Sequence, residues 1–409
     1  MSRIKQVSFF ASLLGVIIPI GGAFGESPLL QQGDLQYQGA FRVPQGTFGS
    51  STLSYGGTAM AYNPARNSLY IVGHDWDQNV AEISIPQIVN SSSLNNLHTA
   101  TVLQNFTDAT EGKLGSINPG DPNAKKIGGL MVYGGQLYIS GWSYYDGSGT
   151  QSTSHFVRPL DLSNRGQVRG PYKVGNQYPG FVSAYMMAIP QEWQAALGGP
   201  ALTGGCCHSI ISLQSLGPAA SVFNPNDVGS KNPVPATPAV GYPIDHPTLG
   251  TWDGNGSPNP VYNMSTKVNG IAFPAGTRTV LFFGKTGLGA PCYGTGAECN
   301  DPADSSKGCH AYPYSAYAWA YDVNDLIAVK SGQKNQWDIE PYRTWTVSLP
   351  FGGTDISSAA YDPSAQRIYV AEYCSDGNCY PVVHMFSIHV AAPPLDSQPP
   401  TSPSNLRMR

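Results

Sequence analysis

The sequence predicts an all-β fold, a five-bladed β-propeller closed by an N-terminal strand that completes the last blade. Three observations predict it. A short hairpin pattern recurs along the chain, the composition is poor in charge and rich in turn formers, and a strand-like segment near the N-terminus matches a strand missing from the last repeat. The clearest copies begin Ala61-Tyr62-Asn63-Pro64 and Ala360-Tyr361-Asp362-Pro363. Each reads as a strand ending in Tyr, an Asn/Asp-Pro turn, and a second strand rich in Leu, Ile, Val and Tyr. Charged residues make up 12% of the chain, beside 47 Gly and 34 Pro, which suits many short strands and suits helices badly.

The elements follow in order. A third copy spans 127–141 with a Gly134-Gly135 turn, and a fourth joins 268–274 to 278–284. In the remaining copy, 181–190 keeps the first strand, 191–197 reads as one or two helical turns, and 201–205 is the second strand. Third strands are expected at 80–85, 156–162, 209–213, 317–323 and 382–390, and fourth strands at 99–106 and 342–349. The fifth unit has no fourth strand of its own, because Pro393 ends it. Segment 35–43 has the character to replace it, which closes a ring and removes free sheet edges. A β-sandwich with coincidentally similar hairpins is the competing architecture.

The ends read differently from this body. Residues 1–25 carry Arg3 and Lys5, an apolar run and a small-residue end, the pattern of a secretory signal. Export to an extracellular or periplasmic space is therefore expected, with no membrane span. Residues 391–409 are rich in Pro and Ser, a linker-like composition that cannot pack a core. The stretch from Pro399 resembles the lead-in to a fibronectin type III-like module, so an appended C-terminal module is expected. A net charge of -4 and a pI near 6.0 speak against nucleic acid as a partner. In an exported chain the seven cysteines default to disulfides, with one left over. Cys374 and Cys379 flank Asp-Gly-Asn and read as a staple across a hairpin tip.

The blade hairpins resemble those of the broad NHL, TolB and lactonase-type propellers. That resemblance implies a ring of blades around a channel whose mouth carries the site, and it brings no family-specific catalytic motif. The second strands end at His74-Asp75-Trp76, Trp142 to Tyr145, Cys206-Cys207-His208, Lys285 and Glu372-Tyr373. The first strands start at Thr58, Gly129, Ser183, Asn269 and Asp355. These positions differ in every blade while the strands repeat, which is what a site grafted on a scaffold looks like. The long 286–315 connection, holding Cys292, Cys299, Cys309 and His310, is expected to wall or cover that mouth.

Several chemistries fit parts of this ring. His74, His155, His208 and His310 are too dispersed for a zinc motif, and Cys292, Cys299 and Cys309 with His310 favour a disulfide over zinc. Asp253 to Ser257 resembles the start of a calcium loop but departs from it at Pro258 and Met264, so a structural calcium there is the one cofactor considered and a plain turn competes with it. Glycoside hydrolysis needs two facing carboxyl groups, and Asp75 with Glu372 is the best available pair. Familiar five-bladed glycosidases start their first strands with repeated acids, and only Asp355 stands there. A polysaccharide lyase abstracts a proton beside a carboxylate, roles that His74, Tyr144, Tyr145, Lys285 and Tyr373 suit. The ring resembles the His and Tyr sites of propeller-shaped lyases in type. A non-catalytic recognition module needs the same ring, with Trp76, Trp142, Tyr144, Tyr145, Tyr293, Tyr312 and Tyr373 stacking on sugar or gripping peptide. The expected catalytic set is His74, Asp75, Tyr144, Lys285, Glu372 and Tyr373. The expected ligand-binding set is Trp76, Trp142, Tyr145, His208, Asn269 and Asp355, with no metal ligands. An enzyme and a recognition module both remain open at this point, each with a polysaccharide or glycan as the expected ligand.

Overall fold

Five antiparallel four-stranded sheets stand in a ring in the computed structural model, which describes residues 27–257 and 259–389. Blade one is Met60–Asn63, Ser68–Val72, Val80–Ser84 and Val102–Thr107. Blade two is Lys125–Tyr133, Gln136–Ser143, His155–Pro159 and Arg169–Tyr172. Blade three is Tyr185–Ala188, Ala201–Gly204, Ala220–Phe223 and Ala236–Val240. Blade four is Lys267–Ala272, Thr279–Gly287, Tyr314–Asp322 and Arg343–Thr346. Blade five is Ile356–Asp362, Arg367–Asp376 and Tyr380–Ile388, and its outer strand is the N-terminal Leu35–Arg42.

That closing strand pairs antiparallel with the third strand of blade five, from Leu35 opposite Ile388 to Arg42 opposite Val382. Arg42 then fastens it with a forked pair of bonds to Asp376, Nε to Oδ2 at 2.7 Å and Nη2 to Oδ1 at 3.2 Å. A fork of this kind fixes direction as well as energy. The first and last blade strands in the sequence thus lie in one sheet, as the missing fourth strand predicted.

The hairpin turns fold for the reasons their residues suggest. Asn63 Oδ1 accepts from Ala65 N and Asp362 Oδ1 from Ser364 N, so the short side chain mimics a backbone turn before the Pro-led reversal. In blade two Gly134 and Gly135 hold φ of 55° and 74°, a region where a β-carbon is costly. The inner strands lack the alternation of a one-sided sheet. All of Ser68–Val72 is buried, because neighbouring blades cover both faces. The core therefore lies between blades, as where Tyr70 and Val72 of blade one pack with Ile127 and Leu130 of blade two.

Two elements depart from expectation. The third strand of blade three is Ala220–Phe223 instead of 209–213. Gln214 explains why: its carboxamide accepts from His208 N and donates to Ser209 O at 2.8 Å, closing 208–214 into a loop before the strand begins. A helix not anticipated from the sequence, Val323–Lys330, follows the third strand of blade four, with Asp322 capping Asn324 N at 2.9 Å. The helical turns expected in blade three are Gln191–Leu197, ended by Gly198 at φ 79°.

Disulfides join Cys206 to Cys207, Cys292 to Cys299 and Cys374 to Cys379, and Cys309 is free. No helix among the described residues is long and apolar enough to cross a membrane. The expected signal at 1–25 and linker at 391–409 lie outside the described residues.

Candidate functional site

Each first strand begins at one end of the central channel, and three begin with a common irregularity. The strand registers slip between Ile127 and Gly129, between Val268 and Gly270, and between Ile356 and Ser358. A β-bulge of this kind leaves an extra residue unpaired and re-aims its side chain. The extra residues are Gly128, Asn269 and Ser357, and all three line a cavity of about 270 Å³ at the channel mouth. Two positions earlier stand Lys126, Lys267 and Asp355, which line it too. Blade one adds Thr58 and Asp75, blade three adds Cys207 and His208, and the second strands of blades two and five add Trp142, Tyr144 and Tyr373.

One wall is aromatic. Trp142 stacks on His208 with ring centroids 4.7 Å apart, Tyr144 lies 5.6 Å from Trp142, and Tyr145 meets Tyr144 edge-on at 4.5 Å. Burial pushes the His208 imidazole down to about 4, so it is neutral at ordinary pH, and its Nε2 lies 3.2 Å from Gly180 O. Burial also raises the phenols of Tyr144 and Tyr373, with the neighbouring Tyr145 and Asp75 respectively adding to the rise. Both therefore keep their protons and can donate them.

A second group of lining residues is charged, and its Lys126 is the cross-strand neighbour of Trp142. Lys126 Nζ contacts Asp75 Oδ2 at 2.6 Å and Asp75 O at 2.8 Å. Lys267 Nζ lies 3.2 Å and Lys285 Nζ 3.8 Å from the same oxygen of Asp355. Asp355 raises the Lys267 pKa, whereas burial and the adjacent Lys267 charge lower that of Lys285. Burial opposes ionisation of Asp355, but the two ammonium groups overcome it and hold the carboxyl below the usual carboxylate range. Two buried oxygens, Asp355 Oδ1 and Thr58 Oγ1, have no hydrogen-bond partner. Unpartnered buried oxygens are costly unless something else meets them.

The structure gathers Asp75, Tyr144, Tyr373, Trp142, His208, Asn269 and Asp355 around this one cavity. Other expected site residues lie elsewhere. His74 turns toward Tyr55 and its Nδ1 accepts from Trp76 N at 3.2 Å. Trp76 and Tyr145 are exposed outside the cavity, with Lys126 5.1 Å above the Trp76 ring. Lys285 stands behind Asp355, its ammonium 4.3 Å from the Tyr314 ring. Glu372 does not pair with Asp75. It is fully buried, its Oε2 2.6 Å from His384 Nε2 and its Oε1 accepting from Gly353 N. Its counterparts are Gly73, Gly141 and Gly284, where an added β-carbon meets atoms within 3 Å. Glu372 fits because Gly353 has no side chain where the carboxylate lies.

The long blade-four connection forms a small hairpin, Cys292–Gly294 with Gly308–His310, beside the site instead of over it. His310 Nδ1 lies 2.8 Å from Asp301 Oδ2, which also accepts from Tyr314 at 2.5 Å. Asp253 to Ser257 closes on itself, with Thr251 N donating to Asn255 O at 2.7 Å and Thr251 Oγ1 bonding Asp253. No group of three metal-ligating side chains lies together among the described residues.

Sequence reasoning missed Lys126 and Lys267. Its ring was set on Gly129 and Asn269, whereas the bulges move the cavity column upstream. The signal was legible: Lys126-Ile127, Lys267-Val268 and Asp355-Ile356 are each a charged residue before a β-branched one, at one repeat position.

No family model and no curated protein matches the chain. Among solved structures, it is similar to a luciferin-regenerating enzyme at 8% identity, covering 86% of this chain and 94% of that one with a TM-score of 0.35. It is also similar to a structure from work on GH130 mannoside phosphorylases and glycoside hydrolases that target β-1,2-mannosidic linkages in Candida mannan. That match is 12% identical, covers 90% and 99% of the two chains, and has a TM-score of 0.41.

Proposed function

We propose that this chain is an exported propeller that binds an extracellular polysaccharide at the channel mouth and cleaves it there. One observation carries the reading: stacked Trp142, His208 and Tyr144 and the ion-paired Lys126, Asp75, Lys267 and Asp355 line one cavity together. Aromatic faces supply the contact area that sugar rings need, and the polar wall supplies orientation. The three disulfides suit an oxidising compartment outside the cytosol.

Lyase and glycoside hydrolase action are the two reactions to test. A hydrolase needs one carboxyl kept in its acid form. Asp355 is unsuited to that role, since Lys267 and Lys285 hold it ionised. Elimination needs a base to take the proton beside the sugar carboxylate and an acid to protonate the leaving oxygen: ionised Asp355 is the base that lines the cavity, and Tyr144 or Tyr373, which keep their protons, is the acid. A non-catalytic recognition module is the second reading, favoured by the close pairing of Lys126 with Asp75, which occupies both groups.

The test is a screen of the full chain against polysaccharides, reading binding, new reducing ends and the absorbance of unsaturated ends. Unsaturated ends are expected. New ends without unsaturation give hydrolysis, binding without new ends gives the module, and no binding to any polysaccharide contradicts the reading.

A further inference from the structure

The charged wall is not neutral by itself. Three lysines, Lys126, Lys267 and Lys285, face two aspartates, Asp75 and Asp355. Lys126 and Asp75 satisfy each other at 2.6 Å. Asp355 is left to balance two ammonium groups with a single oxygen, at 3.2 and 3.8 Å. The Lys285 side chain is 18% exposed, makes no closer ion pair among the described residues, and rests on the Tyr314 ring. Asp301 and Asp304 act on Lys285 from the blade-four loop, but neither makes an ion pair with it, so its nearest carboxylate oxygen is the one at 3.8 Å that it shares with Lys267. Lining the same cavity as Lys267 and Asp355, from blade one, Thr58 Oγ1 is a buried hydroxyl with no partner.

We infer that the bound saccharide is acidic, with one anionic substituent, a carboxylate or a sulfate, held by Lys267 and Lys285 and by the Thr58 hydroxyl. This rests on the glycan reading above and names the class of sugar. An anion there relieves the sharing of one Asp355 oxygen by two ammonium groups and gives Thr58 a bond to donate. Lysine suits this role because a compact ammonium can meet any anionic oxygen without a fixed fork geometry. A neutral sugar would leave both ammonium groups sharing that one Asp355 oxygen. The aromatic wall carries no charge to oppose the anion, since His208 is neutral there.

The test uses the full chain and two matched pairs of probes in calorimetric titration: oligogalacturonate with its methyl ester, and a sulfated galactan oligosaccharide with its desulfated parent. At least one acidic probe should bind about tenfold or more tightly than its neutral counterpart, with affinity falling as salt rises. The pair that shows the preference identifies the substituent. Lys267→Gln, a change at a half-exposed side chain, should cancel most of that preference. Lys285→Arg keeps the charge and should retain the preference, whereas Lys285→Met should lose it. If neutral probes bind as tightly as acidic ones, the inference is overturned and the glycan reading stands. If none of the four binds, and the polysaccharide screen is also blank, both fall.

Discussion

The two ends of the central channel are built by the same five strands and are chemical opposites. The end where the first strands start is lined by lysines, aspartates and tyrosines that differ from blade to blade. The end where they turn holds a cavity of about 430 Å³ lined by Met60, Met131, Met186, Met187, Phe273 and Tyr361 with other mostly apolar neighbours. At the turning end each residue has only to pack, so similar side chains recur. At the starting end bulges release the strands from regular pairing and their residues are free to diverge. Substitutions at the turning end should therefore cost stability and spare the ligand, and those of the cavity-lining side chains at the starting end should do the reverse.

The largest effects should come from groups that only pack or balance buried charge. Phe273→Ala empties a fully buried position and should lower unfolding free energy by about 3–5 kcal/mol, with saccharide affinity of the folded protein unchanged. Glu372→Ala strands the buried His384 and should cost a comparable amount, about 3–5 kcal/mol. Denaturant titration checks both. A loss of binding in stable Glu372→Gln protein would return that residue to the site.

Replacing Cys374 and Cys379 by serine opens a short loop at the starting end and should cost roughly 2 kcal/mol by the loop-closure relation. Thermal unfolding with and without reductant measures it.

A smaller, local effect should appear with pH in the blade-four loop. Burial opposes protonation of His310, but Asp301 and Ser306 O overcome it and raise its pKa above 6.5. A raised histidine contributes stability that is complete below the unfolded value and lost as pH rises through the folded one. Burial likewise opposes ionisation of Asp301, while its bonds from His310 and Tyr314 bring it down to about 2, so its contribution is lost as pH falls from 3.8 toward that value. The loop should be most protected between these limits, with amide exchange at 292–310 rising on the alkaline side, and His310→Gln should flatten the profile.

The smallest stability effect belongs to the site itself. Tyr373→Phe removes a hydroxyl with no hydrogen bond among the described residues and should change stability by no more than roughly 0.5 kcal/mol, while lowering saccharide affinity or cleavage. A stability loss without a functional one would place Tyr373 in the packing.

The same contrast explains what the sequence made legible. Strand order, the hairpin turns and the closing strand were readable because hydrophobic runs and Asn/Asp-Pro or Gly-Gly turns are local signals. The 209–213 segment misled because its alternating residues look like a strand, whereas a long-range bond from Gln214 closes it as a loop. Asp75, Trp142, Tyr144 and Tyr373 could be placed around the cavity because they follow the repeat closely. Lys126 and Lys267 were missed because the bulges shift the pairing register, and the charged residue before a β-branched one at the same repeat position was the only local sign of them. Glu372 was misplaced for the opposite reason: it stands where three other blades have glycine, and that spacing already marked a position with no room toward the channel.

The most direct test is a crystal structure of the chain soaked with the tightest-binding acidic oligosaccharide of the matched pairs. The account predicts density at the starting end of the channel, a sugar ring against Trp142 and an anionic group within hydrogen-bond reach of Lys267 and Lys285. Density instead in the outer groove between Tyr178 and Trp252, or at the methionine-lined end, with the starting end empty, would contradict it.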